Sequence, residues 1–148
     1  MQMFNSSFNH WSVSRSAVED VAELVWSISH HPLPPNFYRN SRSTGNSLGL
    51  SDRSGTLIVV LLTASWVNME DDDKVNKAAR KLIADIESDA RATGAYDPFI
   101  YLNYANPLQD PISSYGSDSS NAFQAVKKRV DPNGVFSKQS AGGFKLSV

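Results

Sequence analysis

The sequence contains no cysteine, no excess of charge of either sign and no long hydrophobic run. The absence of cysteine from its 148 residues excludes disulfides, thiolate metal sites and a cysteine nucleophile. Lys and Arg number 14 and Asp and Glu number 15, which gives a net charge of -1. Because a protein that neutralises phosphates usually has a basic excess, we expect no nucleic-acid partner. The longest apolar run, Leu57–Leu62, has six residues, whereas a membrane helix needs roughly 20, so we expect no membrane span.

Histidine is also scarce, and its placement does not favour a metal site. The three histidines are His10, His30 and His31, and no pair has the i, i+4 spacing of a helical zinc site. Neighbouring strand residues point to opposite faces, so His30 and His31 are poorly placed to share one ion. The acidic run Glu70–Asp73 is interpreted as a helix N-terminus, where the helix dipole favours acids, rather than as a metal site. We therefore expect no bound metal.

What is present is the composition of a globular domain, 41% hydrophobic and 20% charged. Periodicity predicts, in chain order, a helix from about Ser14 or Ser16 to Leu24, a strand Val25–His31, a long loop over 36–55 with a short strand near Leu48–Leu50, a central strand Thr56–Thr63, a helix from Asn68 to Gly94, a strand Phe99–Tyr104, a helix from about Asp118 to Val130 and an irregular tail Val135–Val148. This order indicates an α+β fold, with helices packed on one side of a few-stranded antiparallel sheet.

So few strands leave the edges of the predicted sheet open. Small isolated sheets are marginal in water, and an unpaired edge tends to recruit another strand. We therefore expect the sheet to be incomplete. Apolar side chains on Trp26, Phe99 or the run Leu57–Leu62 should then be exposed.

No motif assigns a reaction from composition or spacing alone, because Gly-x-Gly-x-x-Gly, Walker and Gly-x-Ser-x-Gly patterns are absent. The most suggestive cluster is Tyr101, Asn103 and Tyr104, which places polar groups at the end of an apolar segment. Strand alternation would put Tyr101 and Asn103 on one face and Tyr104 on the other. The residue types leave two interpretations open, packed tyrosines with satisfied hydroxyls or a functional site.

Several short motifs in the C-terminal half occur together. They are Tyr101-Leu102-Asn103-Tyr104, Gln109-Asp110-Pro111-Ile112, Tyr115-Gly116, Asp131-Pro132-Asn133-Gly134-Val135-Phe136 and Gly143-Phe144-Lys145-Leu146. In this order and spacing they resemble the C-terminal region of the berberine-bridge-enzyme-like FAD-linked oxidases. Upstream, Trp26-Ser27-Ile28, Pro32-Leu33-Pro34 and Gly94-Ala95-Tyr96 resemble the end of the substrate domain in the fungal branch of that family. The resemblance assigns residues 1–95 to the C-terminal portion of the substrate domain and 96–148 to the berberine-bridge-enzyme-like C-terminal region.

The resemblance implies an FAD-dependent oxidation of a small organic substrate, of the kind found in fungal secondary metabolism. A base removes a proton while hydride leaves for the flavin. The second tyrosine of the motif is the base in several members, and here that residue is Tyr104. Asn103 matches the asparagine that lies against the flavin, and Tyr101 is expected to shape the substrate pocket. Trp26 and His30 match substrate-domain sheet residues that are expected to face the same pocket.

Two features of the family are absent from the sequence. One is the Gly-Gly-His stretch of the FAD-binding domain, and the other is a cysteine that attaches the flavin in many members. We therefore expect the FAD-binding domain to be a missing partner of this chain, which alone should bind little or no FAD and be inactive. The alternative is a truncated, non-catalytic remnant that binds a small molecule or a partner at its sheet edge. Met1–His10 does not resemble a signal peptide. Many members of the family are secreted, so the sequence does not determine the cellular compartment of this protein.

Overall fold

The computed structural model of the chain describes residues 2–38 and 47–146. In chain order its elements are α1 (Gln2–Ser14), β1 (Val25–Leu33), β2 (Leu57–Ser65), α2 (Asp72–Ala92), α3 (Pro111–Ser114), α4 (Ser117–Val130) and α5 (Val135–Gln139). Short 3₁₀ turns occur at Arg15–Ala17, Pro35–Phe37, Met69–Asp71 and Leu102–Tyr104. The predicted α+β class with a few-stranded antiparallel sheet is confirmed. The long loop predicted over 36–55 lies partly outside the described residues, which omit 39–46.

The chain forms two compact units, and the first comprises Met1–His31 and Val60–Asp97. Its core is a cluster of seven buried residues, Val18, Val21, Trp26, Val75, Ala78, Leu82 and Ile86. Four of these lie at spacings of three and four along α2, which is the apolar stripe of an amphipathic helix. Burial of one such aliphatic side chain contributes about 1.5–3 kcal/mol, so this stripe is the main source of stability in the unit.

The ends of α2 agree with the predicted helix. Acidic residues occupy its first turn, where they complement the helix dipole. At the other end Gly94 has φ +69°, and the Ala95 amide donates to the Ala90 carbonyl at 2.8 Å. This left-handed glycine cap satisfies carbonyls that the last helical turn leaves unpaired.

The predicted helix from Ser14 or Ser16 to Leu24 is wrong. Its first residues form a 3₁₀ turn at Arg15–Ala17, and turns follow as far as the start of β1. The Val18 amide donates to the Arg15 carbonyl and the Val21 amide to the Val18 carbonyl, both at 3.1 Å. In this conformation Val18 and Val21 are both buried. Their spacing of three is also found on the apolar face of an α-helix, so the sequence pattern does not distinguish the two structures.

The two strands pair with each other as a two-stranded sheet. Val60, Leu62 and Ala64 of β2 alternate toward the core of the first unit, but none of the nine β2 residues is fully buried. The prediction of a central strand covered on both faces is therefore wrong. Ile58 is 39% exposed, as expected for an incomplete sheet, whereas Trp26 is buried.

The second unit comprises Pro32–Val59 and Pro98–Val148. The helix predicted from about Asp118 is confirmed as α4, whereas Leu48–Leu50 does not form a strand and Leu50 is a buried loop residue. The predicted strand Phe99–Tyr104 is also wrong, because it ends in the 3₁₀ turn at Leu102–Tyr104.

The tail predicted as irregular contains the short helix α5. Gly134 precedes it in the left-handed conformation. The Asp131 carboxylate accepts from the Val135 amide at 2.6 Å and from the Phe136 amide at 3.2 Å. Asp131 therefore satisfies two amide groups that the first turn of a helix leaves unpaired, which is the work of a helix cap.

Candidate functional site

The predicted site residues of the second unit meet in one short turn, Tyr101–Tyr104, called here the tyrosine turn. The Tyr104 amide donates to the Tyr101 carbonyl at 3.0 Å, which closes the 3₁₀ conformation. Tyr104 is 42% exposed, and Asn103 is exposed beside it. Both residues therefore lie at the surface of the second unit.

Side chains within the tyrosine turn contact one another directly. The Asn103 carboxamide donates from Nδ2 to the Tyr101 hydroxyl at 2.8 Å. The rings of Tyr101 and Tyr104 meet edge to face, with centroids 4.9 Å apart and planes at 90°. The predicted separation of Tyr101 and Tyr104 onto opposite strand faces is wrong, because residues three apart in a 3₁₀ turn lie above one another.

The segment that leads into the tyrosine turn is held by the end of α3. The Ile100 amide donates to the Ser114 hydroxyl at 3.0 Å. At the other end of α3, the Asp110 carboxylate accepts from the Ser113 amide at 3.1 Å. Hydrogen bonds from the Ser113 side chain and then from the Ser113 amide lower the pKa of Asp110 below its usual value. A capped α3 thus presents Ser114 to the backbone just before the turn.

Tyr115, directly after α3, is a residue that the sequence did not single out as part of a site. It is 6% exposed, and its hydroxyl has no hydrogen-bond partner among the described residues. Its ring stacks on Phe99, with centroids 5.6 Å apart and planes at 25°. Burial raises the pKa of the Tyr115 hydroxyl, and the nearby backbone of Leu102 lowers that pKa in part.

Trp26 and His30 lie in the first unit, on β1, and their polar groups are engaged by α1. Trp26 is buried in the core, and its indole Nε1 donates to the Ser14 hydroxyl at 3.0 Å. His30 Nε2 lies 2.7 Å from the Ser7 hydroxyl, and the Phe4 ring lies 4.8 Å from the imidazole between centroids. In this structure both side chains face α1.

Two shallow hollows lie elsewhere on the surface. One of about 270 Å³ is lined by Ser65, Trp66, Val67, Met69 and Asp72, and one of about 290 Å³ lies beside the end of α4 and the start of α5. Neither hollow includes a residue of the tyrosine turn. Across 2–38 and 47–146, no three His, Asp or Glu side chains converge as metal ligands. No helix in the same ranges is both long and apolar enough to cross a membrane.

Comparison with known proteins finds related segments in fungal proteins. No family model matches the chain, and no solved structure matches it. The oligopeptidase PhomG' of Diaporthe leptostromiformis is 40% identical over 147 residues, which are 98% of this chain and 12% of that protein. The FAD-dependent monooxygenase drtC of Aspergillus calidoustus is 39% identical over 116 residues, 78% of this chain and 22% of that protein. The FAD-dependent monooxygenase sdcF of Emericella nidulans is 36% identical over 116 residues, 78% of this chain and 24% of that protein.

The chain is related to part of the fungal FAD-linked oxidoreductases. It spans a quarter or less of the length of the three relatives described.

The tyrosine turn lies within the stretch shared with these FAD-linked relatives. A match that covers 78% of 148 residues leaves at most 33 residues outside it at one end, so it includes residues 34–115. That range contains both Tyr101–Tyr104 and Tyr115. The residues with the most suggestive chemistry in this chain are therefore in the part that the FAD-dependent monooxygenases share.

Proposed function

We propose that this chain supplies part of the active site for an FAD-dependent oxidation of a small organic substrate, with the tyrosine turn as that part. The observation that supports the proposal is the placement of Tyr104. Its exposed side chain lies against Tyr101, which is hydrogen-bonded to Asn103, in a stretch shared with FAD-dependent monooxygenases. The berberine-bridge-enzyme-like character of residues 96–148, following a substrate-domain portion over 1–95, is part of the same proposal.

In this proposal Tyr104 is the base that takes a proton from the substrate. A tyrosine has an ordinary pKa of about 10, so the occupied site has to stabilise the phenolate with a positive or hydrogen-bonding group. The Tyr101 ring contributes to orientation, because its edge-to-face contact fixes the plane of the Tyr104 ring. Tyr101 is thereby proposed to shape the pocket in which the substrate lies.

The chemistry of the tyrosine turn fits the ring end of a flavin better than its phosphates. Asn103 uses Nδ2 on Tyr101, and its Oδ1 remains an acceptor for a flavin N–H group. The turn itself contains no cationic residue to bind phosphate. FAD, when bound, supplies the hydride acceptor, while this chain's residues orient the substrate and take its proton.

We also propose that Trp26 and His30 contribute to the substrate pocket, and the contacts of both residues with α1 bear on this role. Both residues face α1, which donates to the Trp26 carbonyl through Trp11 at 3.2 Å and contacts His30 through Ser7. Trp26 is buried, so a substrate would reach its side chain only after α1 had moved from β1, whereas His30 is partly exposed. The contribution of Trp26 to the pocket is therefore proposed to depend on the position of α1.

Peptidase chemistry, which the name of one relative brings to mind, is not supported by the contact between Ser7 and His30. The Ser7 hydroxyl lies 3.0 Å from the Phe4 carbonyl oxygen and 2.7 Å from His30 Nε2. Ser7 is 1% exposed, so its hydroxyl is closed to a substrate. A nucleophilic serine has to reach the bond that it attacks.

The proposal is tested in a chimera in which this chain replaces the matched segment of the A. calidoustus monooxygenase. We expect Tyr104→Phe to lower turnover of that enzyme's own substrate by about 10²–10⁴-fold, the usual loss for a general base. Tyr96→Phe is the matched control, because it removes a phenolic hydroxyl that lies in the first unit, where the Arg91 guanidinium covers its ring. Equal turnover in both variants would contradict the assignment of Tyr104, whereas a chimera that shows no turnover even with the parent chain would favour the non-catalytic remnant.

A flavin titration of the 148-residue chain tests the proposed need for a separate FAD-binding domain. We expect no saturable change in flavin fluorescence or in the visible spectrum, because the tyrosine turn offers nothing to hold the phosphates. Saturable binding with a perturbed spectrum would show that the chain forms a complete flavin site by itself.

A further inference from the structure

The side chain of Tyr115 carries its hydroxyl into the interior of the second unit. The residue is 6% exposed, and no described residue hydrogen-bonds to its oxygen. Buried polar groups in native proteins are nearly always paired, and an unpaired one costs stability. A phenylalanine would fill the same space without that cost, so packing alone does not account for a tyrosine at this position.

The aromatic ring of Tyr115, in contrast, packs against two other aromatic rings. It stacks on Phe99 and meets the edge of Phe123, with centroids 5.6 and 6.3 Å apart. The next residue upstream, Ser114, accepts from the Ile100 amide. Tyr115 therefore contacts Phe99 and Ser114 binds Ile100, and these two residues directly precede the tyrosine turn.

The backbone of Tyr115 is fixed from its other side by Gly49. A Cβ at Gly49 would lie 1.9 Å from the Tyr115 carbonyl oxygen, so the two backbones are in close contact. Leu50, the next residue, is 1% exposed. Tyr115 thus contacts Gly49 through its backbone and Phe99, in the segment before the tyrosine turn, through its ring.

The hydroxyl end of Tyr115 lies beside the tyrosine turn. The Leu102 backbone and the Tyr101 phenol are both close enough to shift the pKa of Tyr115, in opposite directions. Its proton has no acceptor there in the free chain.

We infer that Tyr115 is a positioning residue for the tyrosine turn, whose ring sets the path of residues 99–101 and whose unpaired hydroxyl forms its hydrogen bond when the site is occupied. The inference rests on the proposed function, because it takes the tyrosine turn as the site. The ring of Tyr115 thus stabilises the fold, whereas its hydroxyl forms a hydrogen bond only in the occupied site.

The first test separates these parts in the free 148-residue chain. We expect Tyr115→Phe to unfold at the same temperature as the parent chain or higher, because it removes an unpaired polar group. We expect Tyr115→Leu to unfold earlier and to exchange the Tyr104 and Ala105 amides at least 10-fold faster, with the α2 amides unchanged. A lower unfolding temperature for Tyr115→Phe would overturn the inference, because the hydroxyl would then have a partner in the fold.

The second test measures turnover in the chimera with the A. calidoustus monooxygenase. We expect Tyr115→Phe to lower kcat about 2- to 12-fold, the effect of one hydrogen bond, while its unfolding temperature does not fall. An unchanged kcat alongside an impaired Tyr104→Phe variant would overturn the inference and leave the proposed function intact. An unchanged kcat in both variants would overturn the proposed function as well. If the chimera lacks activity, the exchange results of the free chain still test the role given to the ring, and a lower unfolding temperature of Tyr115→Phe still overturns the role given to the hydroxyl.

Discussion

Gly49 shows how a single residue determines the packing of the second unit. It has φ +66°, a conformation that residues with a side chain rarely adopt, and its missing Cβ leaves room for the Tyr115 carbonyl. Both requirements must be met for the loop to lie against Tyr115. Glycine is the residue that meets them.

We predict that Gly49→Ala destabilises the second unit by about 2–5 kcal/mol, combining the cost of a left-handed alanine with that of an overpacked contact. Gly142→Ala is the matched control, since Gly142 has φ +68° and nothing lies within 4 Å of its Cβ position. Denaturant unfolding of the two variants would separate the steric term from the conformational term. Equal stability of the two variants would contradict a close contact at Gly49.

At this scale the sequence identifies the cluster but not its geometry. Tyr101, Asn103 and Tyr104 stand out because they are polar residues in an apolar segment. The Tyr115 hydroxyl cannot be recognised in the same way, because its lack of a partner depends on how residues distant in sequence pack around it. Only the motif Tyr115-Gly116 drew attention to that position.

Among the elements, α1 is attached to the first unit by polar contacts as well as by Met3 and Trp11, which pack against the core. Ser6 and His10 both bond to the Asp89 carboxylate on α2, the latter at 2.9 Å, and Ser7 bonds to His30 on β1. Phe4 and Phe8 are 43% and 56% exposed. Phe4, Phe8 and Trp11 have the helical spacing i, i+4, i+7, but serine and asparagine, which favour caps and turns, lie between them, and this helix was not predicted.

The contacts of α1 make its attachment sensitive to acid. Burial lowers the pKa of His30, and neighbouring His31 lowers it further. Hydrogen bonds from Ser6 and then His10 lower the pKa of Asp89. In both cases the folded chain holds fewer protons than the unfolded chain, so stability falls as pH falls, below about 6.5 for His30 and below about 3.9 for Asp89.

We predict that the unfolding temperature of the chain falls between pH 7 and pH 5, and that His30→Gln flattens this dependence. Glutamine keeps a donor for Ser7 and does not titrate. His31→Gln is the control and should leave most of the dependence, since His31 is the lesser of the two causes that shift the His30 pKa. An equally steep profile in His30→Gln would contradict the role given to burial of His30.

The contrast between α2 and the tyrosine turn shows which elements the sequence determines locally. The 21 residues of α2 carry a regular apolar stripe, acidic residues at one end and a glycine cap at the other, so several independent signals agree. Phe99–Tyr104 has only a short apolar pattern, which fits a strand, an extended segment or a 3₁₀ turn equally well. Tertiary contacts from Ser114 and Tyr115 decide between these possibilities, and they are not visible in the local sequence.

For the whole molecule, the sheet is the least protected feature. It has two strands, and β2 runs for nine residues without a charge or a proline. Proteins usually protect sheet edges with charges, prolines or covering elements. The β1 strand contains Pro32, whereas β2 has no such protection within its length.

We predict that the isolated chain self-associates through β2 and that Ile58→Glu reduces this association. Ile58 is 39% exposed, so a carboxylate there remains hydrated and does not enter the core. Val67→Glu, at a 63% exposed position outside the strand, adds the same charge and is the control. Light scattering over a concentration series should show less association for Ile58→Glu alone, and an equal reduction in both would indicate a general charge effect.

The interleaving of the two units has a consequence for the order in which the chain can fold during its synthesis. The first unit is interrupted by the segment Pro32–Val59, which belongs to the second. A ribosome that has released residues 1–97 has produced the whole first unit, and that unit can fold at once. The close contact of Gly49 with the Tyr115 carbonyl, in contrast, cannot form until Tyr115 has been synthesised.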